Sequence, residues 1–360
     1  MRRVFLWLAG NAWLRERFPK LPFAQRAVRR FMPGERLDDA LVAATDFQLQ
    51  GISVLLTRLG ENLTRIEEAD EVAAEYQRLM DESAARGLDA EVSVKLTQLG
   101  FDLDEERTFQ HVSGLAARAA THGQTVWVDM ESSPYAERTV VFYERLKALH
   151  PNTGICLQAY LRRTAADIQR LLPIAPAIRL VKGAYAEPPN VAFQAKREVD
   201  ASFVGLVVSM FEARRQGNGI RIGLGTHDVA LIEQLDASAR AIGLPRTSFE
   251  VQMLYGIRVD EQQRLTREGY MVRDLVAYGE AWYPWYLRRL AERPANVLFV
   301  LRQLLPRHSG GVMTRAPTGI DGAEMKADGH RRSTGHYGRT GTVTVNVEPA
   351  SRRLSTLIVP

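Results

Sequence analysis

A chain of 360 residues that is 46% hydrophobic and 25% charged can bury a substantial core and lies outside the composition of extended disordered chains. Its 47 basic and 42 acidic residues leave +5, yet residues 301–360 alone hold nine Arg or Lys against four acids, so residues 1–300 are formally neutral. A folded basic face for nucleic acid is therefore not expected. The single cysteine, Cys156, excludes an intrachain disulfide and a cysteine-cluster metal site, and fits folding in the cytoplasm.

The start, MRRVFLWLAG, sets basic residues before a short apolar run, and NAWLRERF follows with mixed charge and no small-residue cleavage pattern. This reads as an amphipathic helix rather than a signal segment. No stretch reaches the roughly 20 apolar residues that span a bilayer, while a peripheral contact at the inner face of the membrane through this helix stays open. Pro and Gly in FPKLPF and FMPGE interrupt the helical spacing, so residues 1–50 are expected to form a helical lead-in.

Eight short runs rich in Val, Ile, Leu and aromatics follow: GISVLLT from Gly51, AEVSVKL from Ala90, TVWVDM from Thr125, TGICLQAY from Thr153, AIRLVKG from Ala177, GIRIGLGT from Gly219, SFEVQML from Ser248 and MVRDLVAY from Met271. The segments between them have room for return helices; RIEEADEVAAEYQRLMDESAARG and VDASFVGLVVSMFEARRQG repeat apolar positions every three or four residues, the second ending at a capping Gly. Strand starts recurring every 25 to 40 residues or so are the rhythm of β/α units. Eight units in about 240 residues match the size and count of a closed (β/α)8 TIM barrel, here over residues 51–297. A doubly wound open sheet is the alternative, but no G-x-G-x-x-G turn follows the first strand. Residues 298–360 are Gly- and Arg-rich with little apolar period, which predicts a flexible extension; TVTVNV from Thr342 could add one strand of a docked cap, and GHRRSTGHYGR could meet an acidic partner.

Polar residues fall at the ends of the predicted strands: Lys95, Asp129, Gln158, Arg179 with Lys182, Thr226 with His227, and Gln252. In a barrel these ends converge on one face, where active sites form; a set of structural polar residues is the plainer reading. Arg179 and Lys182, with Gly183 after them, make a corner suited to a bulky anionic cofactor. In WYPWYLRRLAE, Arg288 and Arg289 are adjacent and Glu292 lies three positions after Arg289. Spacing alone leaves open whether they clamp a carboxylate or decorate a salt-bridged surface helix. His227 has no accompanying ligand set for a metal.

EVSVKLTQLG, VWVDMESS, CLQAYLRRT, RLVKGAYAEP, GLGTHD and YLRRLAERPAN occur in the order seen in the proline dehydrogenase family, and the chain resembles that family over about residues 30 to 297. The resemblance implies a distorted (β/α)8 barrel with noncovalent FAD, oxidation of L-proline to Δ1-pyrroline-5-carboxylate, and reoxidation of the flavin by a quinone or another acceptor. It implies that Arg288 and Arg289 grip the substrate carboxylate, with Lys95 at the same polar end. Asp129 and Tyr185 match positions beside flavin and substrate, and Arg179 the residue near the flavin N5 edge. Gln158, Arg179, Val181, Lys182, Gly183, Ala184, Thr226 and His227 match FAD contacts. Glu61, with Glu292 on the clamp helix, is the candidate for a gate; helix capping or a surface ion pair is an equal reading for Glu61.

The chain departs from the family in three places. Leu275 and Trp285 stand where tyrosines are common, and Ala186 where some relatives have an aromatic platform. Leu275 and Trp285 change the substrate pocket and bear on proline preference more than on flavin binding, while Ala186 bears on adenine-side packing of the cofactor; a dehydrogenase of another cyclic imino acid such as hydroxyproline is therefore the alternative, and a catalytically weakened barrel with a regulatory or structural role the third reading. The length leaves no room for the aldehyde-oxidising step, so a separate pyrroline-5-carboxylate/glutamate-semialdehyde dehydrogenase is expected as a partner. Cys156 is expected to be an ordinary strand residue.

Overall fold

The structure, a computed structural model, describes residues 17, 24, 25, 28–60 and 63–292, the side chains of 288–292 excepted. Glu61, the side chains of Arg288, Arg289 and Glu292, most of the lead-in and the whole of 298–360, TVTVNV included, lie outside the described residues.

All eight apolar runs form strands. They are β1 (Ser53–Arg58), β2 (Ala90–Lys95), β3 (Val126–Asp129), β4 (Thr153–Gln158), β5 (Ala177–Val181), β6 (Arg221–Gly225), β7 (Glu250–Leu254) and β8 (Met271–Tyr278). Every neighbouring pair is parallel, and β1 pairs with β8 from Ser53↔Arg273 to Arg58↔Tyr278, which closes the sheet into a barrel. The open-sheet alternative is thereby excluded.

Each strand is buried on both faces, and the helices between strands supply the outer layer. In chain order the α-helices are α1 (Leu37–Leu49), which precedes β1, α2 (Glu67–Ala85), α3 (Glu105–Thr121), α4 (Ala136–Leu149), α5 (Thr164–Leu171), α6 (Lys196–Arg215), α7 (Val229–Ala241), α8 (Val259–Arg267) and α9 (Trp282–Glu292), which follows β8. On α2 the buried residues Ala69, Val72, Ala73, Tyr76, Leu79, Met80 and Ser83 fall at three- and four-residue intervals, and Glu67, Glu68 and Asp70 sit in the first turn, where carboxylates favour the positive end of the helix. The side chain of Asp104 caps α3 by accepting the Arg107 N–H at 2.9 Å. The chain leaves α6 through Gly217, whose φ of +93° is the left-handed conformation that ends a helix at least cost in glycine. Among the described residues no helix is long and apolar enough to cross a membrane.

The main core lies between strands and helices. Inside the barrel a smaller cluster of Leu55, Trp127 and Ala177, with Leu275 packed against it, fills the middle of the bore. Gly154 on β4 makes room for that indole, because a Cβ there would come within 2.5 Å of the Trp127 ring.

Candidate active site

The two-residue period of a strand sends alternate side chains inward. On β2 these include Glu91 and Ser93, on β3 Trp127 and Asp129, on β5 Arg179, on β7 Glu250 and Gln252; their contacts across non-adjacent strands can pass only through the bore. Arg179, 4% exposed, extends from β5 to Ser93 Oγ at 2.8 Å and Asp129 on one side, and to Gln252 Oε1 at 3.4 Å on the other. Ser93 Oγ also donates to Asp129 Oδ1 at 2.7 Å. Burial disfavours the guanidinium charge, but the Asp129 carboxylate outweighs it and holds Arg179 more basic than usual. Cys156 also lies beside Arg179, and burial pushes its thiol above the ordinary range, which leaves it a protonated strand residue.

Beneath this group the bore is closed by charge. Arg221 reaches Glu91 at 2.6 Å and Glu250 at 2.9 Å, and Arg273 stands 3.6 Å from Glu91 and 3.5 Å from Glu250. Trp127 Nε1 donates to Glu91 at 2.7 Å, and its ring lies between two guanidinium carbons, Arg221 at 5.2 Å and Arg179 at 5.6 Å from its centroid. Burial of the Glu250 carboxyl is outweighed by Arg273 and Arg221, which hold it below the usual range. Floor and mouth are thus chemically different: a compact four-charge ion cluster below, and above it the Arg179 group with further polar residues at the strand ends.

The sequence-predicted residues at strand ends line the mouth. Lys95 and Asp129 are register partners at the ends of β2 and β3. The half-buried Lys95 ammonium has no hydrogen bond or ion pair among the described residues. Gln158 ends β4 opposite Val181, which in turn pairs with Gly225 just before Thr226 and His227. Gln158 is 3% exposed; its Nε2 donates to the Met130 carbonyl at 3.3 Å, while its buried Oε1 has no partner among the described residues. Lys182 is held between Asp200 at 2.5 Å and Asp228 at 3.2 Å. Ala184 and Tyr185 are half-buried in the loop from Lys182 to Ala195.

That loop is tied down at both ends. Leu161 and Ala192 form an isolated bridge, and Phe193 N donates to the Tyr160 carbonyl at 2.8 Å. Glu187 accepts both the N–H of Ser133, at 2.7 Å, and its hydroxyl. Gly183 has φ +111°, and a Cβ there would come within 2.2 Å of the Tyr160 ring, so the chain passes this ring only as glycine.

Two of the three departures from the family pattern, Leu275 and Trp285, share one apolar wall. Leu275 packs on the interior cluster and also on a second cluster that contains Trp285, with Val28, Phe31, Trp282 and Tyr286. Trp285 is 8% exposed.

Sequence reasoning named Gln252 without a role and missed Ser93, the floor cluster of Glu91, Arg221, Glu250 and Arg273, and the Ser133–Glu187 tie. The available signal was alternation: polar residues two apart in apolar strands, as in Glu91 and Ser93 or Glu250 and Gln252.

A closed parallel barrel with polar groups gathered at the carboxyl ends of its strands is the architecture of (β/α)8-barrel enzymes. The chain belongs to the proline dehydrogenase family, whose sequence profile matches residues 40–302. It is 36% identical to proline dehydrogenase 1 of Bacillus subtilis strain 168 over 310 residues, 85% of this chain and 100% of that protein. It is 34% identical to the proline dehydrogenase of Deinococcus radiodurans over 281 residues, 77% and 89% of the two chains. Among solved structures, proline utilization A from Bdellovibrio bacteriovorus shares the fold with a TM-score of 0.68 at 22% identity, covering 74% of this chain and 32% of that one. The chain therefore spans about a third of that larger protein.

Proposed function

We propose that this protein oxidises L-proline to Δ1-pyrroline-5-carboxylate with noncovalently held FAD at the mouth of the barrel, the first step of proline catabolism to glutamate. The observation that carries this reading is the cluster on Arg179: a buried guanidinium anchored by Ser93, Asp129 and Gln252 at the carboxyl end of the bore. The residues present fit a flavin, because the buried Oε1 of Gln158 is an acceptor without a donor among the described residues and an isoalloxazine edge carries one. The chemistry FAD supplies when bound is acceptance of a hydride from the proline Cδ at its N5.

The chain's own residues would do the rest. Gln158, Val181, Lys182, Gly183, Ala184, Thr226 and His227 would hold the cofactor, with Arg179 and Asp129 keeping a fixed positive charge where negative charge develops. Arg288 and Arg289 would grip the proline carboxylate beside Lys95, whose ammonium has no partner among the described residues, and Tyr185 would organise the pocket. Glu61 with Glu292 would close it. We assign residues 1–50 as lead-in, 51–297 as the catalytic barrel and 298–360 as an appendage, with a quinone or another acceptor and a separate pyrroline-5-carboxylate/glutamate-semialdehyde dehydrogenase as partners.

Purified protein should carry a yellow chromophore that bleaches on addition of L-proline under anaerobic conditions. A second reading, oxidation of another cyclic imino acid, is favoured by Leu275, an apolar group in the wall where a hydroxyl is common. Parallel assays with L-proline, trans-4-hydroxy-L-proline and pipecolate separate the two. A flavin that none of them reduces would overturn both and leave the weakened barrel.

A further inference from the structure

Arg179 is held from below as well as from the side. Gln252 stands between Arg179 and the floor: its Nε2 donates to Glu250, which turns its Oε1 toward Arg179 Nη1 at 3.4 Å. The amide has two faces, and the carboxylate of Glu250 accepts only from the donor one, so Glu250 decides which face Arg179 meets. Glu250 is itself immobilised by Arg221 at 2.9 Å and Arg273 at 3.5 Å. Between β5 and β7, the β6 residue in register with Arg179 is Gly223; a Cβ there would come within 2.9 Å of the Gln252 amide nitrogen. The place occupied by the amide exists because that strand presents no side chain.

We propose that Gln252, oriented by Glu250, is a positioning residue that fixes the Arg179 guanidinium, and that the ion cluster on the barrel floor thereby sets how readily the cofactor at the mouth is reduced. This rests on the proposed function, in which Arg179 faces the flavin. Without the Gln252 acceptor, Arg179 is drawn toward Asp129 and Ser93 alone, and less of its charge is directed outward. Proline binding, which uses other cations, is little affected. The signature is therefore a loss in kcat with KM nearly unchanged, joined to a flavin potential shifted negative.

Gln252→Leu and Gln252→Met each remove the acceptor and leave the charge of the floor unchanged. The holoenzyme of each is compared with wild type for FAD content, anaerobic reduction by proline, midpoint potential and steady-state kinetics. Both variants should retain FAD, keep KM for proline within about twofold, lose on the order of tenfold in kcat, and show a more negative potential. Should Gln252→Leu fail to fold, Gln252→Met reads the same quantities. Unchanged potential in a variant that retains FAD overturns the inference, whether kcat is preserved or falls. A wild-type protein that holds no flavin, or whose flavin no cyclic amino acid bleaches, overturns the proposed function at the first step and the inference with it.

Discussion

Gln262 on α8 presents an acceptor to another acceptor, the carboxyl of Asp274 on β8. Both of its amide hydrogens are spent, on the Leu254 carbonyl at 3.3 Å and the Ile257 carbonyl at 3.0 Å, so only Oε1 remains for Asp274. Asp274 is 0% exposed, and neither its oxygens nor Gln262 Oε1 has a donor partner among the described residues. Burial raises the carboxyl well above the usual carboxylate range, and no donor stands among the described residues to stabilise the ionised form. In the protonated form, Asp274 can donate to Gln262 Oε1 and satisfy both groups.

The folded chain therefore holds a proton that the unfolded chain releases above about pH 4, and stability falls as pH rises by up to about 1.4 kcal/mol per unit until the folded carboxyl ionises. Asp274→Asn lacks that slope. In urea melts between about pH 5 and pH 8, the variant should gain on wild type as pH rises, with the difference shrinking toward acid. Parallel pH profiles would refute a neutral Asp274.

The Ser133–Glu187 contact joins the β3 end to the loop that carries Ala184 and Tyr185. Glu187→Ala removes a charged acceptor but leaves the backbone bridge at Leu161 and Ala192, so the loop should stay attached while its first half loosens. FAD affinity is expected to fall on the order of tenfold, the scale of a lost hydrogen bond to a charged group. Titration of apoprotein with FAD measures it, and an unchanged Kd would remove the tie from the cofactor site.

Gly183→Ala tests the loop at its other end. A methyl group at φ +111° and 2.2 Å from the Tyr160 ring forces the backbone or the ring to move. The conformational cost alone is about 1 to 3 kcal/mol, so the variant should melt several degrees lower and be purified with less than stoichiometric flavin. Wild-type melting and flavin content would show that the loop yields freely.

The carboxylate clamp rests on the resemblance of Arg288 and Arg289. Arg288→Met or Arg289→Met should cost about 2 to 5 kcal/mol in proline kcat/KM while FAD remains bound. Kinetics close to wild type would reject the clamp.

Much of this was legible along the chain because β/α units are local. A strand needs only a short β-branched run, and its return helix only an apolar stripe, so the eight runs and the rhythm between them led to the barrel. The mouth residues were legible because Lys95, Asp129, Gln158 and Arg179 break apolar runs near strand ends. The function of Gln252 was not, since it depends on Gly223 leaving space and on Glu250 turning the amide, relations between strands that no linear spacing encodes. Asp274 was hidden for a similar reason: within VRDLV nothing distinguishes the side chain that faces α8 from the neighbours that face the bore. Barrel closure decided those pairings, because bringing β8 against β1 fixes inward and outward positions at once and puts Arg221, distant in sequence, onto Glu91. The sequence by itself determined the units, their order and the +5 confined to its last segment; tertiary structure decided which charges meet, because partners drawn from different strands come together only when the cylinder closes.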